Sequence, residues 1–356
     1  MNSASAVLTG KTAIVLLNLG GPDGQASIRP FLYNFFMDKN IIAAPLPVRW
    51  LLAQWISLTR SRGAALQSYK HLGYVSPLLQ NTRDQAHALE AVLKGHAQVQ
   101  GEVKCFVSMR YWHPLADDTA RAVKQFNPDR IVLLPLYPQF STTTVRSSLQ
   151  SWDQAATRAG LRAPTDKICC YPFNDGFIAA STKLIAEKIA AAPKGTRLLF
   201  SAHGLPEKVI TDGDSYQWQC EQTAQKIVDA LDMPGLDWQI CYQSRVGPLK
   251  WIGPSTEEAL EKAKHDGVGV LVYPHAFVSE HVETLVEIEI EYREKAHEMG
   301  IPYFERVPTV GTHPDFIAGL AHEVLRAASQ PSCTRVCPAE FRRCPCKADG
   351  QFCNAA

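Results

Sequence analysis

Residues 13–22 read AIVLLNLGGP, and residues 199–206 read LFSAHGLP. In both, a run of large apolar residues stops on a turn that carries Gly and Pro. A short continuous apolar run bounded in this way reads as a strand buried on both faces, the pattern of a parallel sheet. The pattern recurs at residues 103–109 before Arg110, 131–136 before Tyr137-Pro138, 238–242 before Gln243-Ser244-Arg245, and 268–273 before Pro274-His275-Ala276-Phe277. Between the runs, residues 82–93, 118–126, 177–191, 216–231, 256–264 and 282–299 carry apolar side chains at helical spacing. Strands alternating with helices predict an α/β fold with right-handed crossovers.

The two halves resemble each other. LLNLGGP (16–22) pairs with LFSAHGLP (199–206), and VLLPLYPQFS (132–141) pairs with GVLVYPHAFVS (269–279). We expect two similar α/β lobes, each a parallel sheet flanked by helices, joined near residues 161–167. The expected division is an N-terminal lobe over 11–162, a C-terminal lobe over 163–330, and a tail over 331–356. In open α/β sheets the site lies beyond the carboxyl ends of the strands. Those ends carry His203, Arg110, Tyr137, Gln243 and Phe277. A cleft between the lobes is therefore the expected site.

Composition removes several alternatives. A length of 356 residues suits about two domains, and a 46% hydrophobic content is that of a globular chain. With 36 Lys+Arg against 35 Asp+Glu, the net charge of +1 argues against a nucleic-acid binder. No apolar run is long enough to cross a bilayer as a helix. Residues 1–11 show neither a secretory apolar stretch nor an Arg-rich transit pattern, so a cytoplasmic protein is expected. Of ten cysteines, five crowd into residues 333–353. A reducing compartment disfavours a disulfide framework, and such a tail suggests a metal.

The motif richest in chemistry is FVSEHVETLVEIEIEY, residues 277–292. On an α-helix at about 100° per residue, Glu280, Glu283, Glu287, Glu291 and Glu294 share an arc of roughly 80°. Like charges four residues apart repel. A solvated face would interleave Lys or Arg, and only Arg293 and Lys295 occur here, late. The carboxylate ladder, with His281 near its start, suits a cation path or a proton path. Glu289 falls in the apolar arc and has no evident partner. His203, pinned between a strand end and Gly204-Leu205-Pro206, can take a proton near neutral pH or bind a metal. Arg110-Tyr111-Trp112 puts a cation and two aromatics at a strand end, which suits a flat anionic aromatic ligand. The LNLGGP turn lacks the spacing of a phosphate-binding loop. Residues 31–55 are dense in Phe, Tyr, Trp, Leu and Ile. They would lie on a bilayer, line an apolar pocket mouth, or form a satellite core under a long loop.

Taken in order, LNLGGP, FLYNFFMD, GYVSPL, MRYWHP, LYPQFSTTT, SAHGLP, QSRVGP followed by WIGP, and HAFVSEHVETLVEIEIEY resemble the ferrochelatase family over about residues 11–330. The resemblance implies two Rossmann-like lobes with a porphyrin cleft between them. It implies a nitrogen–metal lyase that inserts ferrous iron into protoporphyrin IX, releasing two protons, at the last step of haem synthesis. It makes His203 and Glu283 catalytic, with Glu287, Glu291 and His281 completing a metal-handling set. Arg110, Tyr111, Tyr137, Gln243, Ser244, Trp251, Phe277 and Leu19 become substrate contacts. Residues 31–55 become a lip that admits porphyrin and touches the inner membrane, on which the protein would sit peripherally as a monomer or homodimer. The basic stretch that meets the propionates in animal members is here Arg60-Ser61-Arg62, and Leu19 fits protoporphyrin better than coproporphyrin.

The tail spacing, Cys337-x6-Cys344-x-Cys346, resembles that of cluster-bearing bacterial members. The resemblance implies a [2Fe–2S] cluster on Cys337, Cys344, Cys346 and an internal Cys169 or Cys170, of which we choose Cys170. Neighbouring strand residues point to opposite faces, so only one of the pair should reach the tail. Four thiolates also suit structural zinc. Cys105, Cys220 and Cys241 read as buried apolar residues. The competing functions are a coproporphyrin ferrochelatase, a chelatase for another tetrapyrrole, and a two-lobed protein that binds a ligand without turnover.

Overall fold

A computed structural model of the chain describes residues 7–245 and 249–329. The tail cysteines Cys337, Cys344 and Cys346 lie outside the described residues.

Two four-stranded sheets carry the fold. The first is ordered β2-β1-β3-β4, with β1 Thr12–Asn18, β2 Val103–Met109, β3 Arg130–Pro135 and β4 Thr165–Lys167. The second is ordered β6-β5-β7-β8, with β5 Arg197–His203, β6 Trp238–Gln243, β7 Val270–Tyr273 and β8 Phe304–Arg306. All the ladders are parallel, and each lobe's first strand is central. Leu16 lies between Val107 and Leu134 in register.

The continuous apolar runs follow from burial on both faces. Ile14, Leu16, Val132 and Leu134 enter one core, while Ala13, Val15, Leu17, Ile131 and Leu133 enter the other. In the second sheet Leu199, Val270 and Val272 meet Leu260 and Ile288. Leu198, Phe200, Leu271 and Tyr273 meet Ile185 and Ile227 on the opposite face. Side chains cap the starts of a few helices, as Asn174 does for helix Asp175–Ala191. Ser255 and Glu258 form a reciprocal capping box on helix Thr256–Asp266, which Gly267 ends at φ 69°.

The lobes are less separable than a boundary at residue 162 suggests. β4 still pairs with β3 in the first sheet. The helix Pro314–Ser329, far along the chain, returns to the first lobe and packs on helices Leu78–Lys94 and Asp175–Ala191. Its Leu320 and Val324 join Ile14 and Leu16 in one core. Gly176 and Gly319 allow this crossing, since a Cβ on Gly176 would lie 2.2 Å from the Asp315 carbonyl oxygen.

Residues 31–55 divide between a buried helix and an exposed one. Helix Ile28–Phe36 buries Ile28, Phe31 and Leu32 against Tyr69 and Tyr111 in a satellite core. The next helix, Leu46–Arg60, leaves Leu46, Val48, Trp50, Leu51, Leu52 and Trp55 exposed, Trp55 at 64%. No described helix is long and apolar enough to cross a membrane.

Candidate active site

The carboxyl end of β5 sets His203 beside Gln243 at the end of β6. Backbone contact holds it there. The Gly204 amide donates to the Gln243 carbonyl at 2.8 Å, and a Cβ on Gly204 would lie 2.8 Å from that oxygen. His203 keeps 38% of its side chain exposed. Its Nδ1 lies 2.8 Å from Oε2 of Glu283. Burial alone would lower the imidazole pKa, but the Glu283 charge and hydrogen bond, with the Glu287 charge, raise it overall. The same pairing acts on Glu283, where burial works upward and the His203 and His281 rings carry the carboxyl well below its ordinary range.

The acidic ladder rides on a π-helical stretch, Glu283–Tyr292. Such wide turns are rare and recur at functional sites. Glu287 accepts from Ser244 Oγ at 2.5 Å and from Gln243 Nε2 at 3.2 Å, and Tyr292 Oη donates to its Oε1 at 3.3 Å. Burial and the neighbouring Glu283 charge push the Glu287 carboxyl up to about 7. Glu291 meets Ser68 Oγ at 3.5 Å. His281 is buried, with Nδ1 3.1 Å from the Ser279 carbonyl oxygen and Nε2 3.8 Å from Glu283.

The ladder is shorter than an α-helical reading predicts. Glu280 precedes the helix and turns away to Arg306 Nη1 and the Thr309 amide, each at 2.9 Å. Glu289, unexplained by the sequence, accepts from Arg306 Nε at 3.0 Å and Arg293 Nη2 at 2.6 Å. Arg306, on β8, thus ties Glu280 to Glu289 behind the ladder. Among the described residues, no three His, Cys, Asp or Glu side chains form a ready-made metal-binding group.

The expected substrate contacts are unequally placed. Phe277, half-buried, packs on His281 with ring centroids 4.7 Å apart. Half-buried Trp251 lies 3.4 Å from the Gly204 Cβ position. Its Nε1 is buried with no hydrogen-bond partner among the described residues. Tyr137 is half-buried at the end of β3, and burial raises its hydroxyl pKa. Leu19 packs at the edge of the satellite core. Gln243 is fully buried, held by Ser201 Oγ at 2.7 Å, and faces the ladder through Glu287. Tyr111 departs from the expectation: it is fully buried and gives its hydroxyl to Asp38 at 2.8 Å.

The strand premise used to choose between Cys169 and Cys170 does not hold. β4 ends at Lys167, so the pair lies beyond the strand and the opposite-face rule does not apply. Both thiols are buried in one core, with Sγ atoms 3.5 Å apart, and Gln219 Nε2 lies 3.5 Å from Cys170 Sγ. Sequence reasoning also missed Tyr292. It lies five residues from Glu287, about 140° away on an α-helix but on the same face of a π-helical turn.

Comparison with known proteins bears on the family and the fold. The Ferrochelatase family model matches residues 11–328. A ferrochelatase of Caulobacter vibrioides strain NA1000 is 50% identical over 348 residues, covering 96% of this chain and 99% of its own. One of Pelagibacter ubique is 44% identical over 342 residues, covering 94% and 98%. Among solved structures, SirB from Bacillus subtilis with Fe3+ superposes with a TM-score of 0.53 at 12% identity, covering 96% of this chain and 99% of its own, a likeness of fold. The two-lobed fold and these relatives define a metal chelatase. The chain belongs to the ferrochelatase family.

Proposed function

We propose that this chain inserts ferrous iron into protoporphyrin IX in the cleft between its lobes, the closing step of haem synthesis, with His203 as the base. Each turnover makes iron–nitrogen bonds and releases two pyrrole protons, which places the enzyme among lyases that form nitrogen–metal bonds. The observation that carries the reading is the 2.8 Å pair of His203 and Glu283 at the strand ends. Glu283 steadies the imidazolium that forms when His203 takes a proton. Glu287, with its raised pKa, can hold a proton near neutral pH and so receive one from that pair. Glu291 continues the line outward beside Ser68. Iron enters here as substrate and leaves in the product.

The test is anaerobic incubation with protoporphyrin IX and Fe²⁺, followed by the Soret band. Wild type should form haem. His203→Ala should bind porphyrin and form none. Equal turnover by that variant would remove His203 from the chemistry, and faster use of coproporphyrin would move the substrate assignment.

The exposed Trp50, Leu51 and Trp55 support a lip that rests on the cytoplasmic face of the inner membrane. The adjacent buried thiols of Cys169 and Cys170 support an internal ligand for a [2Fe–2S] cluster completed by Cys337, Cys344 and Cys346. One thiol of the pair would ligate iron, and the cluster would hold the tail to the first lobe.

A further inference from the structure

Asp38 lies two residues beyond the end of the lip's first helix, Ile28–Phe36, and its side chain is 1% exposed. Its Oδ2 receives Arg110 Nη2 at 2.8 Å, Tyr111 Oη at 2.8 Å, and Ser147 Oγ. Its Oδ1 receives the Asn40 amide nitrogen at 2.8 Å and Asn40 Nδ2 at 2.9 Å. A carboxylate withdrawn from water needs such partners to stay ionised. The coulombic pull of Arg110 and these donors outweigh burial and hold its pKa below the ordinary value. The donors come from three places: the residues just after β2, the start of helix Ser147–Ala159, and the lip itself.

Arg110 is bound on one edge. Nε donates to Ser147 Oγ at 2.7 Å and Nη2 to Asp38. A guanidinium is a rigid planar fork, so fixing those two nitrogens fixes the direction of the third. Nη1 is the nitrogen tied to neither Asp38 nor Ser147. The Arg110 side chain is 22% exposed, so the guanidinium is not sealed inside the core.

We propose that Asp38 is a positioning residue for porphyrin: it aims the Arg110 guanidinium and joins it to the lip as one rigid unit. Seating of the lip and anchoring of the macrocycle are then a single event. The inference rests on the reading of Arg110 as a substrate contact.

The experiment uses the full chain, with protoporphyrin IX in detergent micelles. The readouts are KM and kcat for porphyrin and the quenching of its fluorescence on binding. Arg110→Ala should raise KM. Asp38→Asn should raise KM about tenfold with kcat within about twofold, the effect of one lost charge-assisted hydrogen bond on binding alone. The double variant should be no worse than Arg110→Ala, because Asp38 acts through Arg110. Ser147→Ala keeps the carboxylate and removes one arm, so it should give a smaller rise in KM. That variant decides the matter if Asp38→Asn does not fold. Wild-type KM in Asp38→Asn, multiplying effects in the double variant, or wild-type KM in Ser147→Ala would overturn the proposal. Wild-type KM in Arg110→Ala would instead show that the guanidinium does not meet porphyrin, and would remove the premise.

Discussion

Ser244 Oγ donates to Glu287 Oε2 at 2.5 Å from a left-handed backbone, φ 64°. A residue other than glycine rarely adopts that conformation, and where it persists the surroundings hold it there. The turn after β6 therefore aims a hydroxyl at the one ladder carboxyl whose pKa is pushed up. The hydrogen bond favours the ionised form and so limits that rise.

Glu287 makes stability depend on pH. Its pKa rises from the ordinary 4.5 to about 7 in the folded chain. Between these values the native state holds more protons than the unfolded state, so this contribution to stability falls as pH rises through the window. Glu287→Gln removes the dependence. Denaturant unfolding should show the variant gaining on wild type between pH 5 and pH 8. A constant difference across that range would contradict the assignment.

The His203–Glu283 pair sets the acid limb of catalysis. The Glu283 charge outweighs burial and raises the His203 pKa, so the acid limb lies at higher pH than an ordinary imidazole would set. Glu283→Gln removes the charge that raises it. The acid limb of kcat/KM should then move to lower pH, with kcat lower by about 10² to 10⁴. A limb that stays in place would mean that another group titrates there.

The lip should bind membranes through its exposed aromatics. Withdrawing Trp50 and Trp55 from water is worth roughly 2 kcal/mol each. Trp50→Asp with Trp55→Asp should lower partition onto anionic vesicles by roughly a hundredfold or more in a flotation assay. Unchanged flotation of a folded double variant would take the lip off the bilayer.

The tail should carry colour. Cys337→Ser, Cys344→Ser and Cys346→Ser should each lose visible absorption and iron, while Cys333→Ser and Cys353→Ser should not. Cys169→Ser and Cys170→Ser should separate the pair, one colourless and one coloured. A colourless wild type holding one zinc would replace the cluster with a structural metal site.

Legibility followed burial. β1, β2, β3, β5, β6 and β7 were readable because apolar runs ended at turns. β4 and β8 were not, because TDK and FER are three-residue edge strands with charged side chains. His203 and Glu283 announced themselves at a strand end and at the head of an acidic helix. Their neighbours were hidden for two reasons. Asp38 and Arg110 lie 72 residues apart, and no local pattern records such a contact. A 3.6-residue period run back through Glu280 takes as helical a residue that precedes the helix, and the π-helical stretch changes which residues share a face, so that period leaves Tyr292 out.

Helix Pro314–Ser329 supplies part of the first lobe's core from the far end of the chain. During synthesis, β1 and β3 leave the ribosome long before the side chains of Leu320 and Val324 exist. Until then the face holding Ile14, Leu16, Val132 and Leu134 has an unfilled gap open to water and to other nascent chains. The first lobe therefore cannot mature ahead of the second, as independent domains usually do. Truncation before Leu320 should yield an aggregation-prone chain and not a smaller soluble lobe.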